Sequence, residues 1–177
     1  MDLSNLTSRL SALKWNGSAK VDSLVQKPAV GMHALVDVAH VVAGKGFDGD
    51  HTKKDWWKGE RVPGREVTAI TREVLDALGA GPEVPGDNIV TKGVDLKSLQ
   101  VGQLVRIGNV ILRRADKIHR PCDLFARRIS QEAKEAVLAL QLRGALFHVE
   151  QGGTIQKGDP IQVMPREVAL ESDRSTH

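Results

Sequence analysis

The sequence is poor in aromatic residues and carries only a modest charge. It has three Trp, three Phe and no Tyr in 177 residues, so we expect a mainly aliphatic core. The interleaved aromatic and basic residues of RNA-binding modules are missing. A formal net charge of +3 is also too small for the dense basic stripe of a dedicated DNA-binding protein. We therefore expect no nucleic-acid partner.

Cysteines and long apolar runs are equally scarce. The single cysteine, Cys122, cannot form an intramolecular disulfide, so nothing points to an oxidising compartment. The histidines do not follow a zinc-site spacing. No apolar run approaches the roughly 20 residues needed to span a bilayer, and the N-terminus lacks the pattern of a secretory signal. We expect a cytoplasmic protein that binds no membrane.

Short strands separated by turns dominate the predicted secondary structure. Leucines at helical spacing predict a helix over residues 2–14, which could pack on the body of the protein or on a second subunit. Two further helices are predicted, one that Thr71 caps and Gly79 ends, and one running from Ser130 to a stop at Gly144. The Gly108-Asn109 pair between two β runs predicts a two-residue hairpin turn. The remaining pattern predicts an α+β fold that is mainly β with a few helices, most simply a single barrel-like domain.

The stretch IHRPCDLF surrounds Cys122 with groups that influence thiol chemistry. Arg120 supplies a permanent positive charge, His119 a conditional one, and Pro121 fixes the backbone just before the sulfur. Nearby cations favour the thiolate, which attacks electrophiles and binds soft metals. On this local chemistry alone, a buried structural cysteine is the more common alternative.

Two other polar motifs are weak when each is taken alone. GFDGDH combines flexible glycines with Asp50 and His51, and its carboxylates could bind a metal or a cationic side chain. An ordinary Asp-Gly turn is the simpler interpretation. PGDNIVTKG places Asp87 and Asn88 at the start of a strand, where Asn88 could bind an amide-like ligand edge or form a turn.

Taken in order, these motifs resemble the MOSC domain, the C-terminal module of molybdenum cofactor sulfurases. The series runs through GFDGDH, REVTAI, PGDNIVTKG, HRPC and RGALFHVEQGGTIQKGDPIQV, and the resemblance covers about residues 27–164. On this basis we divide the chain into an N-terminal helical extension (1–26), a MOSC domain (27–166) and a polar C-terminal tail (167–177). The resemblance implies a single-domain β-barrel of the small stand-alone bacterial type that binds a molybdopterin-type molybdenum cofactor.

The resemblance also implies roles for individual residues. Cys122 stands at the family's functional cysteine, which ligates molybdenum in members that reduce N-hydroxylated compounds and is proposed to carry persulfide sulfur in others. A soft thiolate suits both roles. Asp50 and His51 would shape the pocket and assist proton delivery. The predicted cofactor-binding set is Cys122, Arg65, Asp87, Asn88, Thr91, Arg120 and Arg143, with the three arginines as contacts for the pterin phosphate.

Two positions depart from the usual family motifs. His51 directly follows Asp50, where the family commonly has one residue between them, and this shifts the direction of the imidazole. Asp87 stands where the family usually has Glu, which draws the carboxylate back by one methylene.

Our leading hypothesis is a molybdenum-cofactor-binding protein that is an oxidoreductase, or a component of one, acting on N–O bonds. The alternative is a sulfur carrier with a persulfide on Cys122, and a further one is a barrel without chemistry in which Cys122 is buried. No flavin, haem or iron–sulfur signature is present, so a reductase would need a separate electron-donor protein, whereas a sulfur carrier would need a cysteine desulfurase. The sequence does not fix the small-molecule substrate or the oligomeric state, and a homodimer is one option.

Overall fold

A computed structural model describes residues 2–166 of the chain, and the predicted tail at 167–177 lies outside the described residues. The helices are α1 (Leu3–Ser11), α2 (Arg72–Leu78), α3 (Asp123–Arg128) and α4 (Gln131–Leu140), with a short 3-10 helix at Leu96–Ser98. The strands are β1 (Lys20–Gln26), β2 (Ala34–Val36), β3 (Val38–Val42), β4 (Gly46–Phe47), β5 (Trp56–Trp57), β6 (Glu60–Arg61), β7 (Val67–Thr71), β8 (Ile89–Lys92), β9 (Leu104–Ile107), β10 (Val110–Arg114), β11 (Ala145–Gln151), β12 (Gly153–Gln156) and β13 (Ile161–Val163).

A curled eight-stranded sheet forms a half-barrel, with the strand order β13-β9-β10-β11-β7-β8-β1-β2. Its neighbouring strands are antiparallel except β7 and β8, which run parallel because the crossover helix α2 connects them. A smaller sheet, β12-β3-β4, contributes to the same aliphatic core. Strands dominate and helices are few, which confirms the predicted fold class.

A second apolar cluster lies between the helices and the sheet. Leu6 and Leu10 of α1 pack there with residues of α2, α4 and the central strands. The N-terminal helix therefore packs on the body of the protein, which decides between the two arrangements that the sequence allowed. Within residues 2–166, no helix combines the length and the apolar character needed to cross a bilayer.

Helix α2 begins and ends where the sequence predicts. The Thr71 side chain accepts a hydrogen bond from the backbone N–H of Val74, and Gly79 ends the helix with a φ of 66° in the left-handed region. Helix α4 is capped by Ser130 but ends at Gln141, so the predicted stop at Gly144 is wrong. Gly144 has another function, because a Cβ there would lie 1.8 Å from the backbone oxygen of Ala69.

Residues 20–26, which the sequence assigned to the N-terminal extension, form strand β1 between β8 and β2. A register shift between Val21 and Ser23 interrupts the ladder with β8. This irregularity breaks the simple alternation by which strands are recognised, so the chain joins the sheet earlier than the sequence suggested.

Candidate functional site

Asn88 ties three segments together at the start of β8. It is fully buried, and its Nδ2 donates to the Asp50 Oδ2 at 2.8 Å and to the backbone oxygen of Val25 at 3.3 Å. Its Oδ1 accepts a hydrogen bond from the backbone N–H of Thr68 at 3.3 Å. Both amide N–H groups are thus engaged within the protein, and Asn88 positions Asp50 against the sheet.

Asp50 anchors the polar loop between β4 and β7. Its Oδ1 accepts a hydrogen bond from the backbone N–H of Lys27 at 2.7 Å, and its Oδ2 lies 3.2 Å from the Lys54 Nζ. The side chains of Asp50 and Lys54 are only 1% and 4% exposed. His51 is partly buried, and its backbone N–H donates to the Lys27 backbone oxygen at 2.8 Å. Asp50 and His51 therefore both bind the backbone of Lys27, the residue directly after β1.

A second buried carboxylate, that of Asp87, connects the loop before β8 with two other loops. Its Oδ2 accepts a hydrogen bond from the Arg143 Nη1 at 2.5 Å, and its Oδ1 lies 3.7 Å from the His119 Nδ1. The Arg143 guanidinium also lies 5.0 Å from the ring centroid of Phe125, the buried aromatic residue of α3. Asp87 therefore holds the Arg143 guanidinium in place, and His119 of the HRPC segment lies beside the same carboxylate.

Lys27 is a site residue that the sequence did not indicate. Burial lowers its pKa to about 8, while nearby Asp50 and Asp87 act to raise the pKa and Lys54 and Arg65 act to lower it. No ion-pair partner lies within 4.0 Å of its ammonium among residues 2–166. Only its position directly after a strand could have drawn attention to it, since its environment is assembled from distant loops.

The charged groups around Asp87 shift the pKa values of their neighbours. Burial, followed by repulsion from Arg143 and Arg65, lowers the pKa of His119 well below its usual value, so the imidazole is neutral. Burial and Arg143 lower the pKa of Arg65, whereas Asp87 and Cys122 raise it. The Cys122 sulfur therefore lies within electrostatic range of Arg65.

Four buried polar atoms of this cluster have no hydrogen-bond partner within the described part of the chain. They are the Arg65 Nε, the Asp87 Oδ1, the His119 Nδ1 and the Arg143 Nε. Buried polar atoms in native proteins are nearly always satisfied. The cluster also carries more permanent positive than negative charge. The Asp87 Oδ1 and the His119 Nδ1 face each other at 3.7 Å, whereas the Arg65 and Arg143 Nε–H groups are donors that suit an anionic ligand.

Cys122 lies at the edge of this cluster, directly before α3. Its thiol is exposed and makes no capping hydrogen bond to the helix. This accessibility contradicts the alternative of a buried structural cysteine. Arg120 is also exposed, beside the cluster in sequence but without a side-chain contact to it among the contacts found for residues 2–166.

Thr91 lies apart from the other predicted residues. It is buried, its Oγ1 lies 3.5 Å from the backbone oxygen of Ile70, and it lines the apolar interior of the half-barrel beside Ile89 and Leu112. The structure therefore forms two adjacent buried groups, Asp50 with Asn88 and Asp87 with Arg143, with the Arg65 charge nearby, but leaves Thr91 in the core. Among residues 2–166, no group of three or more His, Cys, Asp or Glu side chains is arranged to hold a metal ion.

The fold is shared with several solved structures. The YuaD protein from Bacillus subtilis is 19% identical, with a TM-score of 0.64 over 82% of this chain and 94% of that chain. YiiM from Geobacillus stearothermophilus is 17% identical, with a TM-score of 0.62 over 85% and 77% of the two chains. YiiM from Escherichia coli is 21% identical, with a TM-score of 0.60 over 83% and 70%. At these identities the similarity shows the fold alone.

A comparison with curated proteins finds no significant match. The sequence model of the MOSC domain, however, matches residues 58–162. This match includes Asp87, Cys122 and Arg143, which the structure places in or beside one buried network. Because the model matches more than half of the sequence, the chain belongs to the MOSC domain family.

Proposed function

We propose that this protein binds a molybdopterin-type molybdenum cofactor, with Cys122 as the metal ligand, and acts as an oxidoreductase or oxidoreductase component that reduces N-hydroxylated compounds. MOSC domains are associated with the molybdenum cofactor. The observation that carries the proposal is the exposed thiol of Cys122 beside a buried cluster with surplus positive charge. A thiolate sulfur is a strong ligand for transition metals, so an accessible Cys122 can hold the metal end of the cofactor.

The buried cluster fits the anionic end of such a cofactor. Arg65 and Arg143 present guanidinium groups, which bind phosphate through paired N–H donors. Each has a buried Nε without a hydrogen-bond partner among residues 2–166, and Asp87 holds the Arg143 guanidinium in place. Arg65 and Arg143 would therefore hold the pterin phosphate, and Cys122 would hold the metal end.

When bound, the cofactor supplies two-electron redox chemistry, with electrons from a separate donor protein. The chain's own residues would position the cofactor and supply protons for the reaction. Asn88 and Asp50 fix the loop that carries His51, and the same Asp50 fixes the backbone of Lys27. Lys27 has a pKa of about 8, so its ammonium holds a proton near neutral pH and releases it readily. His51 is partly exposed, so its imidazole lies where it can contact solvent.

Metal and pterin analysis of the full chain from a molybdenum-replete host tests this proposal. We expect about one molybdenum and one pterin per chain in the wild type, and neither in Cys122→Ser. Arg65→Gln should lose the pterin because it removes a phosphate contact. Arg127→Gln is the matched control, since Arg127 is exposed on the neighbouring α3 and should retain both.

The same preparations test the sulfur-carrier alternative. A wild-type protein that contains neither metal nor pterin would contradict the proposal. If it then gained the mass of one sulfur on Cys122 after incubation with a cysteine desulfurase and free cysteine, the persulfide role would replace the metal-ligand role.

A further inference from the structure

The segment around Cys122 alternates between buried and exposed side chains. His119, Pro121 and Phe125 are buried and face the interior of the protein. The residues between and beside them are exposed, as Cys122 itself is. We give the name thiol face to Cys122 together with five exposed residues around it, which are Lys117, Ile118, Arg120, Leu124 and Arg127. The sulfur of Cys122 therefore opens onto this face.

The thiol face combines an apolar part with unpaired positive charges. Two large aliphatic side chains, Ile118 and Leu124, lie on either side of Cys122 in the chain and are 53% and 42% exposed. The three cations of the face are exposed as well, and among residues 2–166 no carboxylate lies within 4.0 Å of their charged nitrogens. Protein interfaces typically surround an apolar centre with a polar rim. The thiol face thus has the composition of an interface for a protein of opposite charge.

The exposed acidic residues of the same stretch do not cancel this charge. The Asp123 Oδ1 lies 2.6 Å from the Lys134 Nζ of α4, so an ion pair with a residue outside the thiol face compensates its charge. Within residues 116–128, Asp116 is the one exposed carboxylate without such a partner, and it stands against three cations. The thiol face therefore carries a net positive charge.

Contacts with the body of the protein hold the thiol face in place. The Arg114 Nη1 donates hydrogen bonds to the backbone oxygens of Ala115 and Lys117, the second at 3.1 Å. Phe125 anchors α3 in the apolar cluster between the helices and the sheet, and the Arg143 guanidinium lies 5.0 Å from its ring centroid. A preformed surface of this kind loses little conformational entropy when a partner binds.

We infer that the thiol face is the docking surface for an acidic electron-transfer protein. The inference rests on the proposed function, which places the metal at Cys122 and takes electrons from a separate donor. For each N–OH group that is reduced, the donor loses two electrons, two protons are taken up, and the N–O bond breaks to leave an N–H group and water. Opposite charges would steer the donor to the exposed sulfur. Because the apolar part contains only two large side chains, we expect a small, transient interface, as in other electron-transfer complexes.

Titration calorimetry of the full chain with an acidic flavodoxin as the probe tests the docking. We expect saturable binding at about 20 mM NaCl, with a dissociation constant on the order of micromolar. Binding should weaken at least about tenfold at about 200 mM NaCl, because screening shortens the Debye length from about 20 to about 7 Å. The double variant Lys117→Glu/Arg127→Glu should bind at least about tenfold more weakly than the wild type at the lower salt concentration. Lys157→Glu is the matched control, since it makes the same charge change at an exposed residue of the turn between β12 and β13, and it should bind like the wild type.

Two electron sources separate docking from the reduction itself. The molybdenum-loaded protein is assayed for reduction of N-phenylhydroxylamine to aniline, above the rate without protein, with reduced flavodoxin and with reduced methyl viologen. Methyl viologen is a small donor that needs no docking face. We expect the double variant to lose at least about tenfold in rate with flavodoxin and to keep the wild-type rate with methyl viologen. Its molybdenum and pterin content should equal that of the wild type, because both substitutions lie at exposed residues.

Three results would count against these expectations in different ways. A wild type without saturable flavodoxin binding at low salt, or a double variant that binds flavodoxin as tightly as the wild type, would overturn the inference. Binding to phosphatidylserine vesicles without binding to flavodoxin would also overturn it and would assign the thiol face to an anionic membrane. A wild type without molybdenum would contradict the proposed function instead. The metal analysis shows this separately, and the titration still decides whether the thiol face binds an acidic protein.

Discussion

Lys27 places a positive charge where burial and nearby cations oppose it, so replacing it should stabilise the unliganded protein. Its pKa in the folded protein is about 8, against an ordinary value of 10.5. Lowering a pKa by one corresponds to about 1.4 kcal/mol, so the charged form costs at most about 3 kcal/mol at pH 7. Because Met keeps the length and apolar stem without the charge, we expect Lys27→Met to raise the free energy of unfolding by about 2 kcal/mol.

The pH dependence of the stabilisation shows whether the Lys27 charge causes it. Between pH 8 and 10.5 the folded protein has released the Lys27 proton while the unfolded chain still holds it, so the stability of the wild type rises with pH in this window. The advantage of Lys27→Met should therefore shrink by about 1.4 kcal/mol between pH 7 and pH 9 and be lost before the pH reaches the ordinary pKa of 10.5.

Urea denaturation followed by circular dichroism at pH 7 and pH 9 measures this difference directly. Lys117→Met is the control, since Lys117 is exposed, and surface substitutions usually change stability by less than about 0.5 kcal/mol. A Lys27→Met protein that is less stable than the wild type at pH 7, or whose advantage does not depend on pH, would refute this reasoning.

Two other substitutions test the buried network and the backbone that supports it. Asp87→Asn should lower the free energy of unfolding by about 3–5 kcal/mol, because it leaves the buried Arg143 guanidinium without its counter-charge. Asp48→Asn, which breaks the exposed ion pair with Lys45, should leave the urea midpoint unchanged, and equal effects of the two would contradict a buried ion pair. Gly144→Ala should lower the melting temperature sharply or abolish folding, because its φ is 108° and its Cβ would lie 1.8 Å from the Ala69 backbone oxygen. Gly79→Ala, with open space around the Cβ, should cost only about 1–2 kcal/mol by thermal denaturation.

Local signals in the sequence predicted several elements correctly. The Gly108-Asn109 pair connects β9 and β10 as a two-residue turn, as its composition predicts. Thr71 and Gly79 cap α2 because each cap depends only on neighbouring residues. Strand β1 was missed because its register shift hides the alternating pattern. The short strands β5 and β6 were missed as well, since they form within a stretch rich in polar residues and glycine.

The contacts within the candidate site could not be predicted in the same way. Asp87 and Arg143 are 56 positions apart, and only the sheet order brings their loops together. The low pKa of Lys27 likewise arises from burial and from charges on several loops, none of which marks Lys27 in the sequence. Residue types could suggest a phosphate-binding arginine, but pairing Arg143 with Asp87 required the fold. The roles of these residues in cofactor binding stay predictions.

The gain in stability expected from Lys27→Met also bears on why a lysine lies beside the buried cluster. A partly buried cation that destabilises the unliganded protein is not explained by folding, and sites that carry such groups often trade stability for binding. An anionic ligand beside Lys27 would supply the missing counter-charge and raise the pKa of Lys27 towards its ordinary value. The ligand would then bind together with a proton, so its affinity should fall as the pH rises above 8. The charge that weakens the unliganded fold would in this way strengthen the liganded one.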